Sequence, residues 1–340
     1  MKKVATFGEI MLRLAPVGYN KLFQNDRLVS TFGGGEANVA VSLANFGVEC
    51  QFVSKVPADA IGQGAINSLR YFGVDTTHIL RGGERLGIYF VEKGASQRPS
   101  VCIYDRHNSA LLTARREEFC WREILRDVGW FHFTGITPAL GTNVYEICLD
   151  AVKMAKELGI GVSCDLNFRS KLWSRESAKK CMSELCRYVD VCIANEEDAY
   201  DVFGINAIDS DIIKGQIDDK GYEYVAKSLL DMFDFNMVAI TLRTSISASD
   251  NDWSAVLYDG KDFYHAPTYH LRIVDRVGGG DSFGAGLIYG ILNDKSPQDA
   301  LNFAVAASAL KHSVEGDFNR VSVEDVERLA SGDGSGRVRR

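Results

Sequence analysis

The strongest signal in this 340-residue chain is the run Asp275-Arg276-Val277-Gly278-Gly279-Gly280-Asp281-Ser282-Phe283-Gly284-Ala285-Gly286. Its three consecutive glycines leave the backbone unshielded, so that their N–H groups can approach an anion closely. The small residues that follow predict a helix over 282–292, whose positive dipole end would point at the same place. We therefore expect Gly278, Gly279 and Gly280 to stabilise the charge of a transferring phosphoryl group.

The acidic residue that closes this run is Asp281. It falls at the start of the predicted helix, where the dipole is expected to keep its carboxylate ionised. An ionised carboxylate can accept the proton of an attacking hydroxyl, because phosphoryl transfer lets that proton leave late. Asp281 is thus the predicted catalytic base. The alternative is a plain helix N-cap, and the run matches neither a Walker A loop nor a G-x-G-x-x-G fingerprint.

A second glycine run, Thr31-Phe32-Gly33-Gly34-Gly35-Glu36-Ala37-Asn38-Val39-Ala40, precedes another predicted helix. Asn38 can offer both a donor and an acceptor to a polyol. Taken by itself, the run is also typical of a glycine-rich turn that enters a core helix.

Composition and charge exclude several classes of protein. Hydrophobic residues make up 46% of the chain and charged residues 24%, which is ordinary for a protein with a full core. The net charge is -7 and no basic stripe occurs, so we expect no nucleic-acid partner. No apolar run is long enough to cross a bilayer, and Glu9 and Arg13 interrupt any signal-peptide core, so we expect no membrane partner. The eight cysteines form no CxxC pair, which favours free thiols and a cytoplasmic location.

Short β-rich runs alternate with longer helical patterns along the chain. This alternation is the signature of βαβ units and predicts an α/β fold with a mostly parallel sheet. The predicted strands are 4–7, 50–56, 130–134, 160–165, 191–194 and 237–241. The predicted helices are 36–46, 144–158, 222–233, 282–292 and 297–311.

Two regions, 12–32 and 87–106, break this alternation with strand-forming residues and turns. We expect them to form antiparallel strands that project from the main sheet as a lid over a site. A hairpin is predicted over 254–264 with Asp259-Gly260 as its turn. Residues 209–220 are predicted to be a solvated loop, and 331–340 a flexible tail after a single domain over 1–330.

Together the two glycine runs resemble the motifs of the ribokinase-like (PfkB) family of carbohydrate and nucleoside kinases. That family has an N-terminal Gly-Gly motif ending in Asn and Ala and a C-terminal D-x-x-G-A-G-D motif. Here glycine replaces alanine at position 279, which we expect to leave the anion hole intact. The resemblance covers about 4–329 and implies a three-layer α/β/α fold with a small β-sheet lid. It also implies ATP and Mg²⁺ as cofactors, leaves room for K⁺ near Asp275, and suggests a homo-oligomer paired through lid edges.

Within that family the chain is most similar to members that phosphorylate the sugar acid 2-keto-3-deoxygluconate, through 103–106, 165–173, 275–281 and 316–319. By this resemblance Arg106 and Arg169 would grip the carboxylate of the substrate as a fork. Tyr89 and Tyr104 would supply hydroxyls and an apolar wall from the lid. The further substrate contacts implied are Gly34, Gly35, Asn38, Asp281 and Asp317.

The nucleotide side is implied by weaker similarities. Asn195-Glu196-Glu197-Asp198 resembles a family N-x-x-E motif that organises Mg²⁺, with Asp198 acting through water; the alternative is an acidic first helical turn. Arg243 stands where many relatives have glycine, and would either pair with ATP phosphates or project into solvent. The residues implied at the nucleotide are Asn167, Asn195, Thr241, Arg243, Ser245, Gly278 and Gly280. The resemblance also implies 306–312 at the adenine, whereas the pattern of that segment alone indicates a core helix.

These features predict phosphoryl transfer from MgATP to a primary hydroxyl of a sugar acid, giving the 6-phosphate of 2-keto-3-deoxygluconate. Two alternatives stay open. One is a kinase of a neutral sugar such as fructose or ribose, which would need no carboxylate site. The other is a sugar-binding regulator that keeps the fold without turnover.

Overall fold

The computed structural model describes residues 2–195, 197–206 and 219–336. The strands are β1 (Lys3–Phe7), β2 (Met11–Pro16), β3 (Leu28–Gly33), β4 (Cys50–Val56), β5 (Ile79–Arg81), β6 (Gly87–Glu92), β7 (Val101–Asp105), β8 (Val128–Thr134), β9 (Gly161–Asp165), β10 (Val191–Asn195), β11 (Met237–Ser245), β12 (Asp250–Tyr258), β13 (Phe263–His265) and β14 (Tyr269–Arg272). The α-helices are α1 (Gly35–Asn45), α2 (Ala60–Arg70), α3 (Trp121–Ile124), α4 (Thr142–Glu157), α5 (Arg175–Leu185), α6 (Asp198–Phe203), α7 (Asp219–Phe233), α8 (Gly279–Leu292), α9 (Pro297–Lys311) and α10 (Val323–Ala330).

The large sheet has the order β13-β12-β11-β10-β9-β8-β1-β4-β5, and β14 also pairs with β12. Strands β11 to β4 along this order are parallel, whereas β12, β13 and β14 add antiparallel pairs at one side. Thr134 pairs with Asp165, and Asn195 pairs with Thr241, at the carboxyl ends of their strands. Parallel topology therefore gathers these polar residues at one edge of the sheet, where α/β proteins bind ligands.

Apolar side chains cover both faces of this sheet because successive strand residues point to opposite sides. On β10, Val191 and Ile193 pack with the cluster under α1, α8 and α9. Cys192 and Ala194 pack with the cluster under α4, α5, α6 and α7. The predicted three-layer α/β/α fold with a mostly parallel sheet is confirmed.

The lid is a separate sheet with the order β3-β2-β6-β7. Its two hairpin-like pairs, β2 with β3 and β6 with β7, are antiparallel, as predicted. The expectation of a wholly antiparallel lid was wrong, since β2 and β6 pair in parallel. The reason lies in the connection: β4 and α2 lie between them in the chain, and a crossover of that length permits parallel pairing.

The predicted hairpin is confirmed by β12 and β13, with Gly260 in the left-handed region at φ 88°. The predicted loop 209–220 lies outside the described residues as far as 218, and its last two residues begin α7 instead. Of the predicted tail 331–340, residues 337–340 also lie outside them. The cysteines are free thiols, as expected. In the described part of the chain, no helix is long and apolar enough to cross a membrane.

Candidate active site

A cavity of about 330 Å³ lies where α1, α8, the lid and the carboxyl edge of the sheet meet. It is lined by most of the residues proposed from the sequence: Gly34, Gly35, Asn38, Tyr89, Tyr104, Arg106, Asn167, Arg169, Asn195, Thr241, Arg243, Gly278, Gly280, Asp281 and Asp317. Ser245 lies instead in a wider adjoining cleft of about 1400 Å³. Gly279 and Asp198 are buried behind the walls.

Both glycine runs form helix N-termini that open into this cavity. Helix α8 begins at Gly279 with Gly278 as its cap, and α1 begins at Gly35 with Gly34 as its cap. Neither cap has a side chain that could accept from the N–H groups of the first turn. The Gly279 N–H donates to the Arg276 carbonyl at 3.3 Å. The expectation that α8 starts near 282 was wrong, because Gly279 and Gly280 already have helical conformation.

The backbone at Gly278 requires glycine. Its φ is 85°, and a Cβ there would lie 2.1 Å from the carbonyl oxygen of Asp317. A side chain at this position would push the loop away from the 317 segment. Gly278 therefore fixes the close approach on which the shape of the anion site depends.

Gly279 is explained by its neighbour His312. A Cβ on Gly279 would lie 2.4 Å from His312 Cε1. The imidazole cannot easily move, because its Nδ1 lies 2.7 Å from the Ser308 carbonyl oxygen and its ring packs against Trp253 at 5.2 Å. Position 279 therefore has glycine, where the sequence motif would have alanine, because the His312 ring occupies the space of the methyl group.

Asp281 is the third residue of α8 and lies at the floor of the cavity. Asn38 Nδ2 donates to its Oδ2 at 2.7 Å. Burial raises the pKa of Asp281 to about 7; the Asn38 hydrogen bond lowers it, and Asp317 and Glu36 raise it further. Burial thus opposes the ionisation that the helix dipole was expected to favour. A carboxyl with this pKa is a better proton acceptor at neutral pH than a carboxyl with the ordinary pKa of aspartate.

Asn38 was expected to present its donor and acceptor to a polyol. In the structure Nδ2 donates to Asp281, and Oδ1 accepts the Gly34 N–H at 3.3 Å. The side chain is 2% exposed. Its geometry thus serves to orient the carboxylate rather than to grip a sugar.

Asp317 and Tyr89, both implied as substrate contacts, are tied to each other and to Arg13. Asp317 accepts hydrogen bonds from Tyr89 Oη and from Arg13 Nη1, each at 2.5 Å. Arg13 Nη2 lies 2.5 Å from Asp275 Oδ2. All four side chains are nearly inaccessible to solvent. This network joins strands β2 and β6 of the lid to the 275 and 317 loops of the main body.

Arg106 has the donors expected of an anion site. Its Nε and Nη1 are buried and, within the described residues, have no hydrogen-bond partner. Nη1 lies 3.5 Å from Glu9 Oε2, and the guanidinium stacks on Tyr104 at 4.7 Å. Burial raises the pKa of Glu9, while the charge of Arg106 opposes that shift. Arg169 lines the same cavity, and its Nη1 donates to the carbonyl of its neighbour Phe168.

Several carboxylates lie at the sheet edge, where the sequence resemblance implied a nucleotide. Burial, with Asp198 and Asp281 nearby, raises the pKa of Asp165 well above its ordinary value. Asp198 is 3% exposed, and its two oxygens accept the backbone N–H groups of Phe168 and Asn195. Crowded acidic groups of this kind fit a divalent cation, since Mg²⁺ at a nucleotide uses one or two carboxylates with phosphates and water. Of Asp165 and Asp198, it is Asp165 that lines the cavity.

Two arginines face the cavity near the glycine loop. Burial and the charge of Arg243 lower the pKa of Arg276. Arg276 Nη2 donates to the Ala248 carbonyl at 3.0 Å, and its buried Nε has no hydrogen-bond partner among the described residues. Cations that crowd each other in this way are suited to an anionic ligand. Arg243 lines the cavity and is at the same time an exposed residue.

Sequence reasoning gave no role to Arg13, Glu9, Glu36, Asp165 or Arg276. Glu36 Oε1 accepts three hydrogen bonds, from the Thr134 N–H and from the hydroxyls of Thr134 and Thr137. The signal that could have identified Glu36 in the sequence was its position inside a glycine run. A charged residue is seldom buried unless it has a structural task.

The comparisons agree with this geometry. The family described as pfkB family carbohydrate kinase matches residues 1–322. A crystal structure of 2-dehydro-3-deoxygluconokinase from Thermotoga maritima superposes with a TM-score of 0.94 at 48% identity, covering 97% of this chain and 98% of that one. The 2-dehydro-3-deoxygalactonokinase of Haloferax volcanii is 31% identical over 98% of both chains. The 2-dehydro-3-deoxygluconokinase of Bacillus subtilis is 27% identical over 96% of this chain and 94% of its own length. With its two glycine-capped helices, its lid and this match along nearly its whole length, the chain belongs to the pfkB family of carbohydrate kinases.

Proposed function

We propose that this chain transfers the γ-phosphoryl group of ATP to 2-dehydro-3-deoxygluconate (2-keto-3-deoxygluconate), giving the 6-phosphate. One observation carries the proposal: Arg106, whose buried Nε and Nη1 have no hydrogen-bond partner in the described part of the chain, lines the same cavity as Asp281 and the glycine cap of α8. The cavity therefore has a cationic end for an acid group and a basic carboxylate for a hydroxyl.

The acid end is suited to a carboxylate by charge and by shape. A guanidinium donates charge-assisted hydrogen bonds to a carboxylate, and Arg106 Nε and Nη1 have no hydrogen-bond partner among the described residues. Arg169 adds a second positive charge at the same cavity. A neutral sugar would leave these buried donors unpaired, which costs about 1–3 kcal/mol per group. The names of the similar proteins, which act on sugar acids, support the same assignment.

In the transfer step the substrate hydroxyl oxygen bonds to the γ-phosphorus while the bond from that phosphorus to the oxygen of the ADP leaving group breaks. The hydroxyl proton passes to Asp281, held in place by Asn38. The backbone N–H groups around Gly278, Gly279 and Gly280 take up the charge that spreads over the phosphoryl oxygens. The lid keeps water from competing with the sugar.

Mg²⁺ would lie at Asp165, with Asp198 behind it, and would offset phosphate charge. Arg243 and Arg276 are placed to bind the phosphates of the nucleotide from the other side. Thr241, Asn167 and Asn195 line the cavity as nucleotide contacts, and Ser245 would reach the nucleotide from the wider cleft. A reducing cytoplasm, suited to the free thiols, and assembly through the lid edges are parts of the same proposal.

The test is an assay of ADP release with MgATP and four acceptors: 2-dehydro-3-deoxygluconate, its galactonate epimer, fructose and ribose. We expect the two acids to be used and the neutral sugars to be poor. Arg106→Met should raise KM for the acids by about tenfold to a hundredfold, the value of a charged hydrogen bond. The exposed Arg126→Met is the matched control and should change nothing. Faster turnover of fructose or ribose would show a neutral-sugar kinase, and no turnover of any acceptor would point to a binding protein.

A further inference from the structure

Lys311, the last residue of α9, has no part in the chemistry described so far, yet it is completely buried. Lysine is almost never buried in this way unless its ammonium is paired. Here Nζ donates to two backbone carbonyl oxygens, that of Val314 at 3.1 Å and that of Asp275 at 3.3 Å. The side chain therefore turns inward, away from the solvent that a lysine at a helix end would normally reach.

The ammonium lies directly beneath the glycine loop. Lys311 Cε is 3.3 Å from the point that a Cβ of Gly278 would occupy. Asp275, whose carbonyl it binds, opens the same loop, and the Asp275 carboxylate accepts the Val277 N–H at 3.2 Å. Lys311 thus contacts the main chain that carries the phosphoryl-binding N–H groups.

The Lys311 ammonium also balances the charge of its neighbours. Arg13, Asp275 and Asp317 form a buried cluster with one positive and two negative charges. Lys311 makes the cluster neutral. Burial lowers the pKa of Lys311, while the carboxylates of Asp275 and Asp317 oppose that shift. Without Lys311, a net negative charge would lie under a loop that must accept phosphate oxygens.

We propose that the Lys311 ammonium is a built-in monovalent cation, a positioning group that holds the Asp275 carbonyl and the glycine loop, so that turnover needs no added K⁺. Oxygen atoms of backbone carbonyls beside carboxylates are the ligands that a hard cation would take. The ammonium already occupies this place, where the family resemblance left room for K⁺. This inference rests on the proposed kinase activity.

The first test needs no variant. We expect the wild-type enzyme to have the same kcat in choline chloride as in KCl at equal ionic strength. A K⁺ requirement in the wild type would overturn the inference. Absence of turnover with every sugar and every salt would instead count against the proposed function, so the two failures are distinguishable.

The second test uses Lys311→Met, which keeps the aliphatic chain and removes the ammonium. We expect kcat in choline chloride to fall at least about tenfold, as for loss of a charged hydrogen bond, and K⁺ or NH₄⁺ to restore part of it. The same ions should raise the melting temperature of the variant but not that of the wild type. Lys295→Met, at an exposed pair with Glu327, is the control and should be indifferent to the salt. An unimpaired variant, or an impaired one that no ion rescues in activity or in melting temperature, would overturn the inference.

Discussion

Asn38 Nδ2 lies 2.7 Å from Asp281 Oδ2, so that an amide on α1 orients the carboxylate on α8. Because this hydrogen bond lowers the pKa of Asp281, Asn38→Ala should move the acidic limb of the pH dependence of kcat/KM to higher pH. It should also lower kcat more than it changes KM. Asn143→Ala, which removes hydrogen bonds to the Leu112 and Ala114 carbonyls, is the control. An unmoved limb in Asn38→Ala would mean that the amide does not act through Asp281.

Asp281→Asn separates catalysis from stability. Turnover should fall by about a hundredfold or more, because no group is left to take the hydroxyl proton. The raised pKa of Asp281 means that the folded state ionises this carboxyl at about pH 7, whereas the unfolded state does so near pH 4. The wild type therefore loses stability as pH rises from about 4 to about 7, and the loss stays constant above that range. The variant should melt higher than the wild type at pH 8, with the gap closing toward pH 4. Full activity in Asp281→Asn would end the proposed mechanism.

Gly279→Ala should destabilise the protein, since the new methyl group meets the His312 ring at 2.4 Å. Overpacking of this kind costs about 1–3 kcal/mol in unfolding free energy. Gly280→Ala is the matched control, because a Cβ there meets no atom within 4 Å. Adding His312→Ala to Gly279→Ala should recover part of the lost melting temperature. Equal melting temperatures for the two glycine variants would show that the imidazole can move aside.

Arg276→Gln should weaken nucleotide binding. Its guanidinium faces the cavity beside Arg243, and its buried Nε lacks a partner in the described ranges. Loss of a charge-assisted hydrogen bond to a phosphate predicts a rise of about tenfold in KM for ATP. KM for the sugar acid should stay constant, as it should for both substrates in the exposed control Lys261→Gln. If KM for the sugar acid alone changed, Arg276 would contact the sugar acid and not ATP.

Asp165→Asn and Asp198→Asn should have different effects. Asp165 faces the cavity, so its variant should need more Mg²⁺ for half-maximal rate while it melts no lower than the wild type. Asp198 holds two backbone N–H groups, and an amide there turns one acceptor into a donor. Its variant should therefore lose about 1–3 kcal/mol in unfolding free energy. A Mg²⁺ titration and a thermal melt of both variants separate the two roles.

The parts of the fold with a local signal could be read from the sequence. Strand β4 and helix α9 have the predicted bounds, since an apolar run and a Ser296 cap before Pro297 mark them clearly. Helix α5 was missed, although Ser174 caps it through the Ser177 N–H, because its sequence is strongly polar. The parallel pairing of β2 and β6 has no local signal at all, because it depends on how distant segments pack.

For the site, too, only features with a local signal could be predicted from the sequence. The glycine runs, Asp281 and Arg106 were found through motifs, which are local by nature. The pKa of Asp281 and the partners of Asn38 depend on side chains brought in by other segments. Arg13 pairs with Asp317 across 304 positions, and no pattern within either segment announces the other.

That pairing also sets an order for the making of the protein. Arg13 leaves the ribosome early, whereas Asp317 follows 304 residues later, a delay of roughly 15–60 seconds at about 5–20 residues per second. Until then Arg13 lacks one of its two acid partners, since only Asp275 precedes Asp317 in the chain. A product cut short before Asp317 could not dock its lid, so completion of the cleft is tied to completion of synthesis.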